Sequence, residues 1–158
     1  VIGTVGSQQK AEKASKNGCH HIINYTEENF SNRVSEITNG TGVPVVYDSI
    51  GKNTYKQSMD CLTNFGMLVN YGNASGPIPA IEPLELMRKG SLSLCRPTLF
   101  NYTSDLAIRK KAADALFEVV ALEKIKIEIG QSYPLSDTKE AHVALEARKT
   151  TGSTILIP

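Results

Sequence analysis

Apolar and polar positions switch repeatedly between a period of two and a helical period, and the switches divide the chain into alternating strands and helices. Val1 to Val5 reads as a short apolar strand, after which Ser7 caps a helix through Lys16 that Gly18 stops. His21 to Asn24 is a second strand, and Thr26 is expected to cap a helix whose Phe30, Val34 and Ile37 share one face until Asn39-Gly40. Val43 to Tyr47 is β-branched and apolar on both faces, as a strand covered by helices on both sides should be. Tyr55, Met59 and Leu62 form the stripe of a third helix, and Gly66 opens a fourth strand, Met67 to Tyr71, closed by Gly72-Asn73. Beyond the Gly- and Pro-rich loop ASGPIPAIEP, the pattern predicts a short helix (Leu84 to Lys89) and a fifth strand (Ser91 to Cys95). A helix from about Ser104 to Leu122 and a strand Ile125 to Ile129 follow. The tail has another rhythm: Tyr133-Pro134-Leu135, a Ser136-capped helix to Arg148, and a last strand, Ser153 to Ile157.

Strands spaced by amphipathic helices imply right-handed crossovers and an α/β fold with a doubly wound parallel sheet, Rossmann-like in class. Ligands in such sheets bind beyond the carboxyl ends of the strands. The turns that matter are therefore Gly6-Ser7, Tyr25, Asp48 to Gly51, Tyr71 to Asn73, and Arg96 to Thr98. A complete strand at the first residue, running straight into GSQQK, matches the end of the second strand of a dinucleotide-binding unit. On that reading the first strand and its glycine-rich loop are missing. The first strand is central in the usual order, so its loss leaves unpaired edges, which Ser153 to Ile157 or a second chain is expected to fill.

With 158 residues, 41% hydrophobic and 21% charged, the chain has ordinary globular composition and enough length for one domain with a core. No apolar run approaches the ~20 residues of a spanning helix. The opening Val1-Ile2-Gly3 lacks the features of a signal peptide, so a cytoplasmic location is expected and the Asn-X-Ser/Thr sequons are read as chance. A net charge of +1 gives no field to gather nucleic acid. Cys19, Cys61 and Cys95 are dispersed and read as reduced thiols. The Cys19-His20-His21 run is not read as a metal site, because neighbours entering a strand point to opposite faces while zinc needs convergent ligands. His142 has no nucleophile beside it in the pattern, so no catalytic triad is indicated.

The chemistry concentrates at Gly6-Ser7-Gln8-Gln9-Lys10. A site for NAD places a carboxylate after the second strand to take the ribose 2′-hydroxyl, whereas an NADP site has room and positive charge for a 2′-phosphate. Here no acid precedes Glu12; Gly6 lets the backbone approach, Ser7 offers a hydroxyl at a helix N-terminus, and Lys10 lies one turn in. This pattern points to NADPH, although an ordinary capped helix with a solvated lysine has the same residues.

The ordered string GTVGSQQKA, Ile23-Asn24-Tyr25, VVYDSIG (Val45 to Gly51), YGNASGP (Tyr71 to Pro77), RPTL (Arg96 to Leu99) and RKTTGSTILIP resembles the zeta-crystallin-like NADPH:quinone oxidoreductases of the medium-chain dehydrogenase/reductase superfamily. The resemblance implies that Ser7 and Lys10 take the adenosine 2′-phosphate with Tyr25 beside it. It implies that Ser49, Ile50 and Gly51 flank the adenosine, that Tyr71, Gly72 and Asn73 pass the nicotinamide, and that Pro97, Thr98 and Leu99 form its far wall. Arg148 matches an arginine that closes over the cofactor. Each position has a plainer alternative. Tyr25 as a cover for the second helix, Tyr71 as core, Arg96 as a strand-end charge and Asp48 as a turn former all remain open.

The same resemblance implies a zinc-free enzyme that transfers hydride from NADPH to quinones or related α,β-unsaturated carbonyls. It further implies that residues 1–130 are a partial NADP-binding Rossmann domain, with 131–158 the C-terminal return segment of a catalytic domain otherwise missing. The piece alone is then expected to be without turnover and to bind NADPH weakly at best. Relatives pair their last cofactor-domain strands edge to edge, which here implies a homodimer through Ser91 to Leu99. The alternative reading is a non-catalytic Rossmann-fold binding or dimerisation module, including RNA binding, which the near-neutral charge and lack of a basic or aromatic stripe disfavour. A methyltransferase is disfavoured by Gly6-Ser7 where an acid is expected.

Overall fold

Ser7 has extended backbone and accepts a hydrogen bond from the Lys10 amide at 3.3 Å, which starts helix α1 (Gln8–Lys16) directly after strand β1 (Ile2–Val5). The computed structural model describes residues 1–158 and divides into two compact units, Val1–Asn101 and Tyr102–Pro158. In the first unit β2 (His21–Asn24) pairs in parallel with β1. Helix α2 (Phe30–Ile37) follows, then β3 (Val43–Asp48), α3 (Tyr55–Asp60) and β4 (Leu62–Asn70). After α4 (Pro83–Arg88) comes β5 (Ser93–Cys95), and β3, β4 and β5 form a second parallel sheet in that order. Parallel strands joined through helices bear out the α/β, doubly wound reading, with the strands in separate pieces of two and three.

Two apolar clusters hold this unit. One joins Tyr55, Met59, Leu62, Leu68 and Leu92; the other joins Ile23, Val34 and Cys61, and both pack against Val43 and Val46 of β3. The β1–β2 pair and the three-stranded sheet therefore share a core without sharing a backbone ladder. β3 bonds only to β4, and β1 only to β2.

Several expectations need correction. Asn29, not Thr26, caps α2, accepting from the Asn32 amide at 3.1 Å; Thr26 instead donates to Asn24 in the turn behind β2. β3 is not covered on both faces, since Tyr47 is 73% exposed. Ser153 to Ile157 forms no ladder with β1 or β3. It forms β7 (Ser153–Ile157), which pairs in parallel with β6 (Ile129–Pro134).

In the second unit the predicted strand Ile125 to Ile129 is displaced. Residues 125–128 alternate as a strand would but lie before the paired register, which starts at Ile129 opposite Ser153, where the Ser153 amide donates to the Glu128 carbonyl at 2.8 Å. Helix α6 (Leu106–Ala121) is capped by Asp105, which accepts from the Ile108 amide at 2.9 Å, and a four-residue helix, α5 (Leu99–Tyr102), precedes it unpredicted. A 3-10 turn (Leu135–Asp137) leads into α7 (Thr138–Glu146), so Asp137, not Ser136, occupies the cap position. Ser136 spends its hydroxyl on the Asp137 carboxylate. No helix is long and apolar enough to cross a membrane.

Candidate functional site

The turns singled out by the sequence lie where parallel strands end. In the β1–β2 sheet, Val5 pairs in register with Asn24, so the Gly6-Ser7 turn and Tyr25 leave neighbouring strands side by side. The Tyr25 amide donates to the Val5 carbonyl at 3.1 Å. Its ring turns over Gly6: a Cβ on Gly6 would lie 2.5 Å from the Tyr25 hydroxyl oxygen, which is why this position has no side chain. Asn24 builds the turn that presents the ring, accepting from the Thr26 amide and hydroxyl and donating to Glu27 at 2.7 Å. Tyr25 is 43% exposed, with its hydroxyl end over Gly6.

Gly6, Ser7, Lys10 and Tyr25 thus form one corner. Ser7 sits at the N-terminus of a nine-residue helix, and Lys10 is in its first turn, where the helix dipole and the lysine charge both favour an anion. No acidic residue occupies that turn.

A second group forms where β3, β4 and β5 end. Asp48 is buried; its Oδ1 accepts from the Ile50 and Gly51 amides at 2.8 and 3.0 Å, and its Oδ2 from the Thr54 and Ser58 hydroxyls at 2.8 Å each. With both oxygens occupied by the turn and by α3, Asp48 is a turn former and has no oxygen left for a ribose. Ser49-Ile50-Gly51 and Tyr71-Gly72-Asn73 lie against each other. The Ala74 amide donates to the Ser49 carbonyl at 3.1 Å, and a Cβ on Gly72 would lie 2.5 Å from that same oxygen. Tyr71 is 53% exposed and lies just beyond β4, so it is not core.

Pro97, Thr98 and Leu99 follow β5 on the same sheet, with Leu99 opening α5 at 72% exposure. Arg96 folds back, its guanidinium donating to the Pro97 carbonyl at 3.0 Å. Arg148 belongs to the second unit, beyond α7, with φ 57°. Two residues escaped the sequence reading. Asn70 ends β4 almost fully buried, and Ser75 ties the two turns through its hydroxyl, which donates to the Ile50 carbonyl at 2.8 Å. An amide closing the otherwise apolar run Met67-Leu68-Val69-Asn70 was the available signal.

The assembled groups can bind and orient a phosphate-bearing ligand. Nowhere do three or more His, Cys, Asp or Glu side chains come together as a candidate metal site.

A family profile described as zinc-binding dehydrogenase matches residues 17–156. A quinone oxidoreductase of Pseudomonas aeruginosa is 45% identical over 158 residues, covering 100% of this chain and 49% of the relative. A 2-haloacrylate reductase of a Burkholderia species is 44% identical over 161 residues, covering 100% of this chain and 48% of the relative. The crystal structure of Escherichia coli quinone oxidoreductase complexed with NADPH superposes with a TM-score of 0.96 at 44% identity, over 99% of this chain and 49% of that one. The chain therefore spans about half the length of the relatives it matches.

Proposed function

The chain belongs to the zinc-binding dehydrogenase family, and from that premise we propose that it is the cofactor-binding part of an NADPH-dependent oxidoreductase acting on quinones or other α,β-unsaturated carbonyls. The corner at Gly6, Ser7, Lys10 and Tyr25 carries this reading: a helix N-terminus, a hydroxyl and a lysine converge there with no acid in the turn. NADPH, when bound, supplies the hydride, and the protein supplies binding and orientation. In this proposal Ser7 and Lys10 hold the 2′-phosphate, Tyr25 flanks it, and Ser49, Ile50 and Gly51 border the adenosine. Tyr71, Gly72 and Asn73 pass the nicotinamide, Pro97, Thr98 and Leu99 wall its far side, and Arg148 closes over it.

Residues 1–130 are assigned to a partial NADP-binding domain and 131–158 to the return segment of a catalytic domain. The acceptor class is drawn broadly because a quinone oxidoreductase and a 2-haloacrylate reductase stand at nearly equal identity, and both names describe reduction of a conjugated acceptor. We further propose a cytosolic homodimer joined through Ser91 to Leu99. Its support is that β5 bonds only to β4, leaving one edge free, with Leu94 37% exposed.

NMR titration of the chain with NADPH and with NADH tests the cofactor role. NADPH is expected to shift the Gly6, Ser7 and Tyr25 amides at lower concentration than NADH, and Lys10→Gln is expected to abolish the difference. Equal affinity for the two cofactors in the wild-type chain would remove the proposal.

A further inference from the structure

Asp48 and Asn70 stand opposite each other in register at the ends of β3 and β4, 4% and 1% exposed. The Asn70 side-chain amide donates to the Asp48 carbonyl at 3.3 Å and to the Gly72 carbonyl at 3.0 Å. Its own Oδ1 is buried without a hydrogen-bond partner. That arrangement costs stability, because an unmet buried acceptor forfeits its solvation, and a leucine of similar size would fill the space without the penalty. What the amide accomplishes is directional: it ties the strand carrying one turn to the turn that follows the other strand.

The rest of the network runs the same way. The Asp48 carboxylate fixes Ile50 and Gly51, while its carbonyl also accepts from the Tyr71 amide at 2.9 Å. The Ser75 amide and hydroxyl both reach the Ile50 carbonyl at 2.8 Å, and the Lys52 amide reaches the Gly76 carbonyl at 3.0 Å. The carboxylate is satisfied by hydroxyls and amides, whose directions set the turn geometry. We propose that Asp48 and Asn70 are a positioning pair that locks Ser49–Gly51 and Tyr71–Asn73 into one rigid cradle, fixing the register between the two halves of a dinucleotide laid across them. The inference rests on the cofactor reading above, and neither residue is required to touch the ligand.

The test uses the whole 158-residue chain with Asn70→Leu, Asp48→Ala and the conservative Asp48→Asn, which keeps an acceptor for the turn amides; Thr54→Val substitutes if Asp48→Ala does not fold. Amide hydrogen exchange at Ile50, Gly51, Ala74 and Ser75 is expected to accelerate about tenfold or more in Asn70→Leu and Asp48→Ala. Leu68 in mid-strand is expected to stay protected, and Asp48→Asn to restore Ile50 and Gly51. NADPH affinity should weaken about tenfold in Asn70→Leu with the NADPH-to-NADH preference unchanged, since the 2′-phosphate corner is elsewhere. Unchanged turn protection, or a loss spread evenly over β3 and β4, overturns the positioning pair. Absence of NADPH binding by the wild-type chain with the turns still locked overturns the cofactor reading instead.

Discussion

The contact between Gly6 and Tyr25 shows how much one missing side chain can decide. The ring reaches the turn after β1 only because Gly6 presents no Cβ, and the corner proposed for the 2′-phosphate depends on that approach. Phe65 is the opposite case: an aromatic residue held at φ 63° while 80% exposed, so its left-handed backbone is offset by little packing. Phe65→Asn, which tolerates that conformation, is expected to raise stability by about 0.5–1 kcal/mol in denaturant unfolding. Cys61 is buried, and burial first and the neighbouring Asp60 carboxylate second push its thiol up from 9.0 to about 12. Above pH 9 the unfolded chain releases a proton that the native chain keeps, so stability falls with pH up to about pH 12. The slope due to this thiol reaches at most about 1.4 kcal/mol per pH unit, and denaturation curves of Cys61→Ala should lack it.

Elements differ in how they are held. α3 inserts Tyr55 and Met59 into a core shared with β3 and β4, whereas α6 has no buried residue. A 16-residue helix without a buried face relies on local terms, chiefly its cap at Asp105 and the Lys110–Asp114 pair. Asp105→Ala is therefore expected to cost α6 about 1 kcal/mol, read as faster amide exchange confined to that helix. Periodicity and turn residues located most elements, with β2, α1 and β7 falling where the pattern predicts them. They misplaced the strand predicted at Ile125 to Ile129, whose register with β7 starts only at its last residue, and the cap at Thr26, whose hydroxyl was drawn into the Asn24 turn.

At the scale of the whole molecule, the chain carries the turns proposed to face the cofactor and spans about half of its relatives' length. Purified alone, it is expected to show no saturable NADPH-dependent reduction of a quinone or of a 2-haloacrylate, followed by NADPH absorbance. Measurable turnover would place the whole reaction within these 158 residues.

The order of strands and helices, the parallel α/β class and the Gly6-Ser7 turn with its capped helix were legible in the sequence, because hydrophobic period, capping side chains and turn glycines act over a few residues. Only the tertiary structure decided which strands share a ladder, sending Ser153 to Ile157 to β6. It alone showed that Asp48, open to a turn-forming role from the sequence, has both carboxylate oxygens taken, and made Asn70 visible beside it. Ladder partners and buried hydrogen bonds join residues far apart in the chain, and no local pattern encodes which of several competent partners will be adjacent.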